Sequence, residues 1–283
     1  MIRFLVQRFL IALIRLAVVL GILGLVTEIA IGLKGGDEPM RHVWQWFSAK
    51  SFPPDFVPRL MASLRVLLIC WTVVMILGLG IGIFRARLRQ AKSLEIVWLP
   101  FVALTWAPAF WLIGLVALWL MERWGHPGFA DGQAPIGGAE TQAVNQWWHA
   151  MILGIILAAG AIGWQFRTCT TGIRDSAKQG FVRASYMRGH RRSIIFYDHV
   201  LKNSMDALTG IVDRGLPATL GMLAVSEWAF RYPGLGQFMI ESARNALPDQ
   251  IFIGAAIFST IAILMSMIAE WIYGGLDRRV RTS

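Results

Sequence analysis

Six apolar stretches, at approximately residues 9–33, 60–84, 94–121, 147–166, 207–230 and 251–274, constrain this chain more than any other feature. A helix needs about 20 mostly apolar residues to cross about 30 Å of hydrocarbon, and lipid leaves no backbone amide a partner outside its own helix. Each stretch meets that length, so the sequence predicts an all-α polytopic membrane protein with six transmembrane helices. Composition agrees: 56% of the 283 residues are hydrophobic and 16% are charged, against about 25% charged in soluble domains. The first stretch runs into "KGGDEP" with no small-residue cleavage site, so it is expected to stay as a helix.

The net charge of +10 is distributed in blocks between the apolar stretches. With the N-terminus inside, the inner segments hold seventeen Lys and Arg residues and the outer loops seven. That asymmetry predicts both termini in the cytoplasm. It also explains the charge without nucleic acid, which one basic face would suit better. Trp44, Trp46, Trp147 and Trp148 flank the stretches as an interfacial belt does. Cys70 and Cys169 stand apart, and the five histidines have no ligand spacing. Neither a metal site nor a cofactor is therefore expected in this chain. No nucleophile motif and no G-x-x-x-x-G-K-[ST] occurs, so the chain is expected to catalyse nothing itself.

Between the fourth and fifth stretches lies the cytoplasmic run "FVRASYMRGHRRSIIFYDHVLKN", residues 181–203. Its apolar residues recur three and four apart, so it is a helical docking surface rather than a linker. Gly189 suits a helix end, where positive φ is needed. Two short helices either side of it would form a knob. Val182, Met187, Ile194 and Ile195 would fill a partner's cleft while Arg183, Arg188, Arg191 and Arg192 meet an acidic rim. The same charge also fits a basic helix lying on anionic membrane lipid.

Several residues inside the stretches stay open to two readings. Gly78, Gly80 and Gly82 permit close approach within the subunit or at a subunit seam. Pro100, Pro108 and Pro217 are hinges or static kinks. Arg15 and Arg65 lie near helix ends, where long side chains snorkel, and Glu28 lies near the outer interface. Asp213 and Arg214 are different, because the uncharged run 215–226 spans only about 18 Å. At least one of that pair lies in the membrane, either in a translocation path or as a tolerated helix end.

The run at 181–203 resembles the cytoplasmic EAA loop of binding-protein-dependent ABC importer permeases, in the form found in the dipeptide, oligopeptide and nickel branch. Phe181, Val182 and Arg183 open it, Gly189 follows, and His199, Val200, Leu201, Lys202 and Asn203 close it. "SEWAFRYPGLGQ" is similar to the branch's Glu-x-x-Phe-x-x-Pro-Gly-Leu-Gly, through Glu227, Phe230, Pro233, Gly234, Leu235 and Gly236. "AEWIYGGLDRRVR" resembles its C-terminal motif, with Arg278 in place of a proline, and "RLMASL" and "APAFWLIG" resemble segments of its second and third helices.

The resemblance implies the type I permease fold and a multi-pass subunit of the bacterial inner membrane. It implies pairing with a second permease, two ABC ATPase domains that bind the ATP and magnesium, and an extracytoplasmic substrate-binding protein. Arg183, Ala184, Met187, Gly189, Arg191, Arg192 and His199 would couple to the ATPase, and Asp213, Arg214 and Glu227 would lie in the path or its gate. The chain would divide into a first helix and short outer loop at 1–58 and a five-helix core at 59–283, with the coupling loop at 167–204. The cargo would be a short peptide or similar solute, with nickel or a metal chelate as a further option in this branch. The rival is a secondary transporter or channel working without an ATPase. It predicts inverted repeats, and none is visible.

Overall fold

The structure is a computed structural model, and it describes residues 2–32, 55–87 and 139–276 together with Gly114, Trp119 and Arg123. All regular structure among the described residues is helical. α1 is Ile2–Gly32. α2 is Phe56–Arg87, with a π-helical segment at Val74–Leu79. α3 is Ala139–Ala177, α4 is Gly180–Met187, α5 is Met205–Ala229, α6 is Leu235–Arg244 and α7 is Pro248–Leu276. The predicted third span, the loop at 34–54, Pro100, Pro108 and the C-terminal arginines lie outside the described residues, apart from helical Gly114 and Trp119.

Among the described residues four helices are long and apolar enough to cross a membrane: Val6–Thr27, Phe56–Arg87, Trp147–Ala177 and Pro248–Trp271. α5 is not among the four, but it packs between α3 and α7, both of which are. Hydroxyls within these helices fold back on their own backbone. Thr72, Thr170, Ser226 and Ser259 each donate to the carbonyl four residues earlier, at 2.7–2.9 Å. In an apolar span that bond gives the hydroxyl the partner that lipid cannot.

α3 differs from its expected length. The basic residues Arg167 and Arg174 mark no boundary, and the helix continues to Ala177 before stopping at Gln179, whose backbone is extended. At 39 residues it is about 58 Å long at 1.5 Å per residue, well beyond the hydrocarbon.

Two clusters organise the core. The larger joins α2, α3, α5, α6 and α7 through Val66, Leu153, Leu157, Leu223, Leu235 and Ile253, all buried. The smaller gathers Cys169, Ile173, Val182, Ile195, Val200 and Ile211 at the other end. Glycine lets α2 and α3 approach. A β-carbon on Gly78 would stand 3.3 Å from that of Gln165, and one on Gly82 would stand 3.0 Å from the Cys169 sulfur. Gly78 and Gly82 thus serve packing within the subunit, whereas nothing lies within 4 Å of a β-carbon on Gly80. α1 stands apart, packed chiefly on α7, where its Leu20 and Leu23 meet Phe252 and Ala256. Its other faces expose Phe9, Leu13, Ile14, Val18 and Ile22, as a lipid-facing helix does.

Candidate functional site

The loop at 181–203 folds as the glycine pattern predicts. α4 ends in a Schellman turn in which Gly189 N–H donates to the Tyr186 carbonyl at 3.0 Å and His190 N–H to that of Ser185 at 3.4 Å. Gly189 takes φ +78°, and the space around a β-carbon there is empty. The constraint on this position is therefore conformational rather than steric. A second short helix begins at Arg192 and passes into a π-helical turn at Ile195–Leu201.

Burial divides the loop's apolar residues. Val182 and Ile195 are buried against Cys169, Ile173 and Ile211, so they hold the loop to its own subunit and do not fill a partner's cleft. Met187, 91% exposed, and Ile194 point away from that cluster. Arg183, Ala184, Arg191 and Arg192 are exposed and His199 is half-buried, its ring 6.1 Å from that of His190.

Polar ties fix the loop's edges. Asn203 Nδ2 donates to Gln179 Oε1 at 3.1 Å, joining its two ends. Arg87 Nη1 donates to the Tyr197 hydroxyl at 3.1 Å, strapping it to the end of α2. The repeat of apolar residues reveals neither tie. Partly buried Leu79, Ile83 and Ala86 of α2 complete the seat under the loop. The knob thus rests on α2, α3 and α5 at once.

A second constellation lies at the opposite end of α5. Gly234 is the N-cap of α6 and has no side chain to offer its free amides. Other helices supply the acceptors. Glu227 Oε2 on α5 accepts from Gly236 N–H at 2.7 Å, and Ser63 Oγ on α2 accepts from Leu235 N–H at 2.7 Å. A carboxylate facing a helix N-terminus also meets its positive end. Two glycines are required here. A β-carbon on Gly234 would overlap the Glu227 carboxyl, and one on Gly236 would overlap Ala224. Glu227 is fully buried, so in this conformation it braces α6 and faces no open path. Tyr232 closes the turn after α5, its N–H donating to the Glu227 carbonyl at 2.8 Å. Burial pushes the Tyr232 phenol up to about 12, and the nearby Glu227 charge adds to the rise. Arg59 sits 3.9 Å from Glu241, and Arg65 lies over the Trp147 ring at 5.1 Å.

α5 carries Asp213 and Arg214, whose side chains lie outside the described residues. The helix continues through Pro217. One buried group was not marked by the sequence. Gln165 on α3 is fully buried against Gly78 and Gly215, and neither its amide nitrogen nor its oxygen has a hydrogen-bond partner among the described residues. Among the described residues, no group of three or more His, Cys, Asp or Glu side chains can hold a metal ion.

Residues 78–282, which include the glycine-stopped knob and the Glu227 brace, match the family described as "Binding-protein-dependent transport system inner membrane component". The chain belongs to this family. It is the permease subunit of an ABC importer, a membership that implies ATPase and substrate-binding protein partners. The permease is 22% identical over 228 residues to the oligopeptide transport system permease protein AppB of Bacillus subtilis, covering 78% of this chain and 70% of the relative. It is also 22% identical over 205 residues to the glutathione transport system permease protein GsiC of Pectobacterium atrosepticum, covering 65% and 67%. GsiC of Salmonella typhimurium is similar to the same degree over 212 residues, covering 68% and 69%. These relatives fall in the peptide branch that the loop motif resembles.

Proposed function

We propose that this permease imports short peptides or glutathione-like solutes, and that the knob at Gly189 transmits the work of a partner ATPase to its helices. The observation that carries the coupling is the loop's two-sided construction. Its buried side packs on the same ends of α2, α3 and α5, while its other side presents Met187 with Arg183, Arg188, Arg191 and Arg192 around it. An exposed apolar anchor inside a charged rim suits a protein partner. Because Val182 and Ile195 seat the knob on three helices, a displacement of the knob moves all three, which is what alternating access requires. ATP and magnesium are held by the ATPase and not by this chain. Both termini and the knob lie in the cytoplasm, as the seventeen to seven division of basic residues supports. The cargo reading rests on the names of the relatives.

Asp213 and Arg214 belong to the path or its gate, with Glu227 acting through α6 as a brace. The test of coupling is Gly189→Asp in the assembled transporter. An L-residue in the left-handed region costs about 1–2 kcal/mol, which distorts the turn without unfolding the helices. ATP-driven uptake of a labelled peptide should collapse while the permease still inserts at normal level. Full uptake at normal expression would refute the coupling.

A further inference from the structure

α2 is held near both of its ends and is irregular between them. Near its start, Ser63 Oγ accepts the Leu235 N–H at 2.7 Å, which docks this end on α6. Near its finish, Leu79, Ile83 and Ala86 lie under the knob, and Arg87 Nη1 donates to the Tyr197 hydroxyl at 3.1 Å. About 36 Å of helix separates Ser63 from Arg87. Between these anchors Val74–Leu79 is wound as a π-helix.

A π-turn takes in one residue more than an α-turn, and the interrupted ladder is a place where helices bend. The irregularity is confined. Val74 N–H donates to the Cys70 and Trp71 carbonyls, and Gly80 N–H to those of Ile76 and Leu77, so α-helical bonding brackets the segment on both sides. Glycine then weakens the helix where the segment ends. Contact with α3 accounts for Gly78 and Gly82, but Gly80 is exposed with nothing within 4 Å of a β-carbon, so packing within this chain does not require a glycine there. A glycine in a helix interior favours opening of the helix. The Leu79 carbonyl, at the end of the segment, accepts from the Cys169 thiol on α3 at 3.9 Å. A thiol is a weak donor, so that tie is easily exchanged.

We propose that Val74–Leu79 is the joint of α2 in the transport cycle, a role that rests on the coupling reading given above. When the knob moves, the Arg87 end of α2 follows it. The π-helical segment bends and rewinds, and the Ser63 end stays docked on α6. A straight α2 would instead drag α6 and its brace along with every displacement of the knob. The segment thus divides one long helix into two parts that belong to different moving bodies.

The first test needs no transport. In hydrogen exchange on the full chain in detergent, read by mass spectrometry, the amides of residues 74–80 should exchange faster than those of 64–72 in the same helix. Gly80→Ala should slow the 74–80 amides about fivefold, the equivalent of about 1 kcal/mol of helix propensity. The second test uses the transporter assembled with its ATPase. Deleting Ile76, which is exposed, removes the residue that the π-turn takes in and leaves both ends of α2 facing as they do now. That variant should insert normally and lose the exchange contrast, and most ATP-driven peptide uptake should disappear while ATP hydrolysis continues. Deleting Leu68, exposed in the regular part of the helix, turns the two ends about 100° out of register and should destroy the fold. Even exchange along α2 in the wild type, or exchange unchanged by Gly80→Ala, would overturn the proposal whatever the transporter carries. Normal uptake after deletion of Ile76 would make α2 a rigid rod and equally overturn it. If that deletion does not fold, Gly80→Ala decides, because a joint requires slower exchange and lower uptake together. A wild type that shows the exchange contrast but carries no peptide would fault the cargo reading and not the joint.

Discussion

Gly236→Ala tests the brace between Glu227 and α6 most directly. The new methyl group would fall on Ala224 and within 3.0 Å of Glu227 Oε2, so α6 must move away from α5. Overpacking of this kind costs about 1–3 kcal/mol, and loss of the hydrogen bond from Gly236 to the carboxylate adds about 1.5–3 kcal/mol. Together the change destabilises by about 2.5–6 kcal/mol. Gly221→Ala on α5 is the matched control, because nothing lies within 4 Å of a β-carbon there. Helix propensity then favours alanine, by up to about 1 kcal/mol. The assay is thermal unfolding of the detergent-extracted chain, alongside its folded yield in membranes. Gly236→Ala should melt far below wild type, and Gly221→Ala at or slightly above it. Equal melting of the two variants would refute the reasoning, since the close approach and the hydrogen bond at Gly236 would then carry no stability.

Gln165→Leu should raise the melting temperature, because it removes a buried amide without partners that costs about 1–3 kcal/mol; an equal or lower melt would count against that reading. Arg231→Gly and Ala246→Gly should each stabilise by about 1 kcal/mol, since both residues hold positive φ, 51° and 55°, where an L-residue is strained. Unfolding measurements on the single variants decide it. For topology, a cysteine at exposed Asn245 should react with an impermeant thiol reagent added outside intact cells and one at exposed Lys178 should not; the reverse pattern would invert the orientation. Ser242, which faces the same side, is a poor site for that label because it is buried on the Phe238 carbonyl and Gln250.

Four of the six expected spans and the glycine stop at residue 189 were legible because each follows from a property of the residue itself, its apolarity or its freedom to take positive φ. Arg231 and Ala246 adopt the same left-handed turn as Gly189 with no glycine to announce it. Charge misled at the end of α3. The fourth apolar stretch ends at 166, before Arg167 and Arg174, but a basic residue does not oblige a helix to stop; the turn at Lys178 and Gln179 does that. The apolar stripe at 182–195 marked a buried face correctly, but periodicity does not say whether the face belongs to the subunit or to a partner. Glu227 and Gly236 stood in one motif, nine residues apart, whereas Ser63, which completes the brace, lies 172 residues from the amide it serves. No local pattern carries such a distance. Arg15 was read as a snorkelling side chain, and the carboxylate it reaches lies on the last helix of the chain.

The packing of α1 on α7 has a consequence for the order of assembly. About 216 residues separate the end of α1 from the start of α7, and at roughly 5–20 residues per second the ribosome needs roughly 10–40 s to make them. Through that interval α1 waits in the bilayer without its main partner, and Arg8 and Arg15 wait without Glu270. A helix so placed has to be tolerated by lipid on every side. That accounts for the apolar residues around most of its circumference, and for cations confined to the end from which they can reach water. Among the described residues α1 is thus secured chiefly by α7, so a nascent chain cut short before α7 would leave α1 undocked.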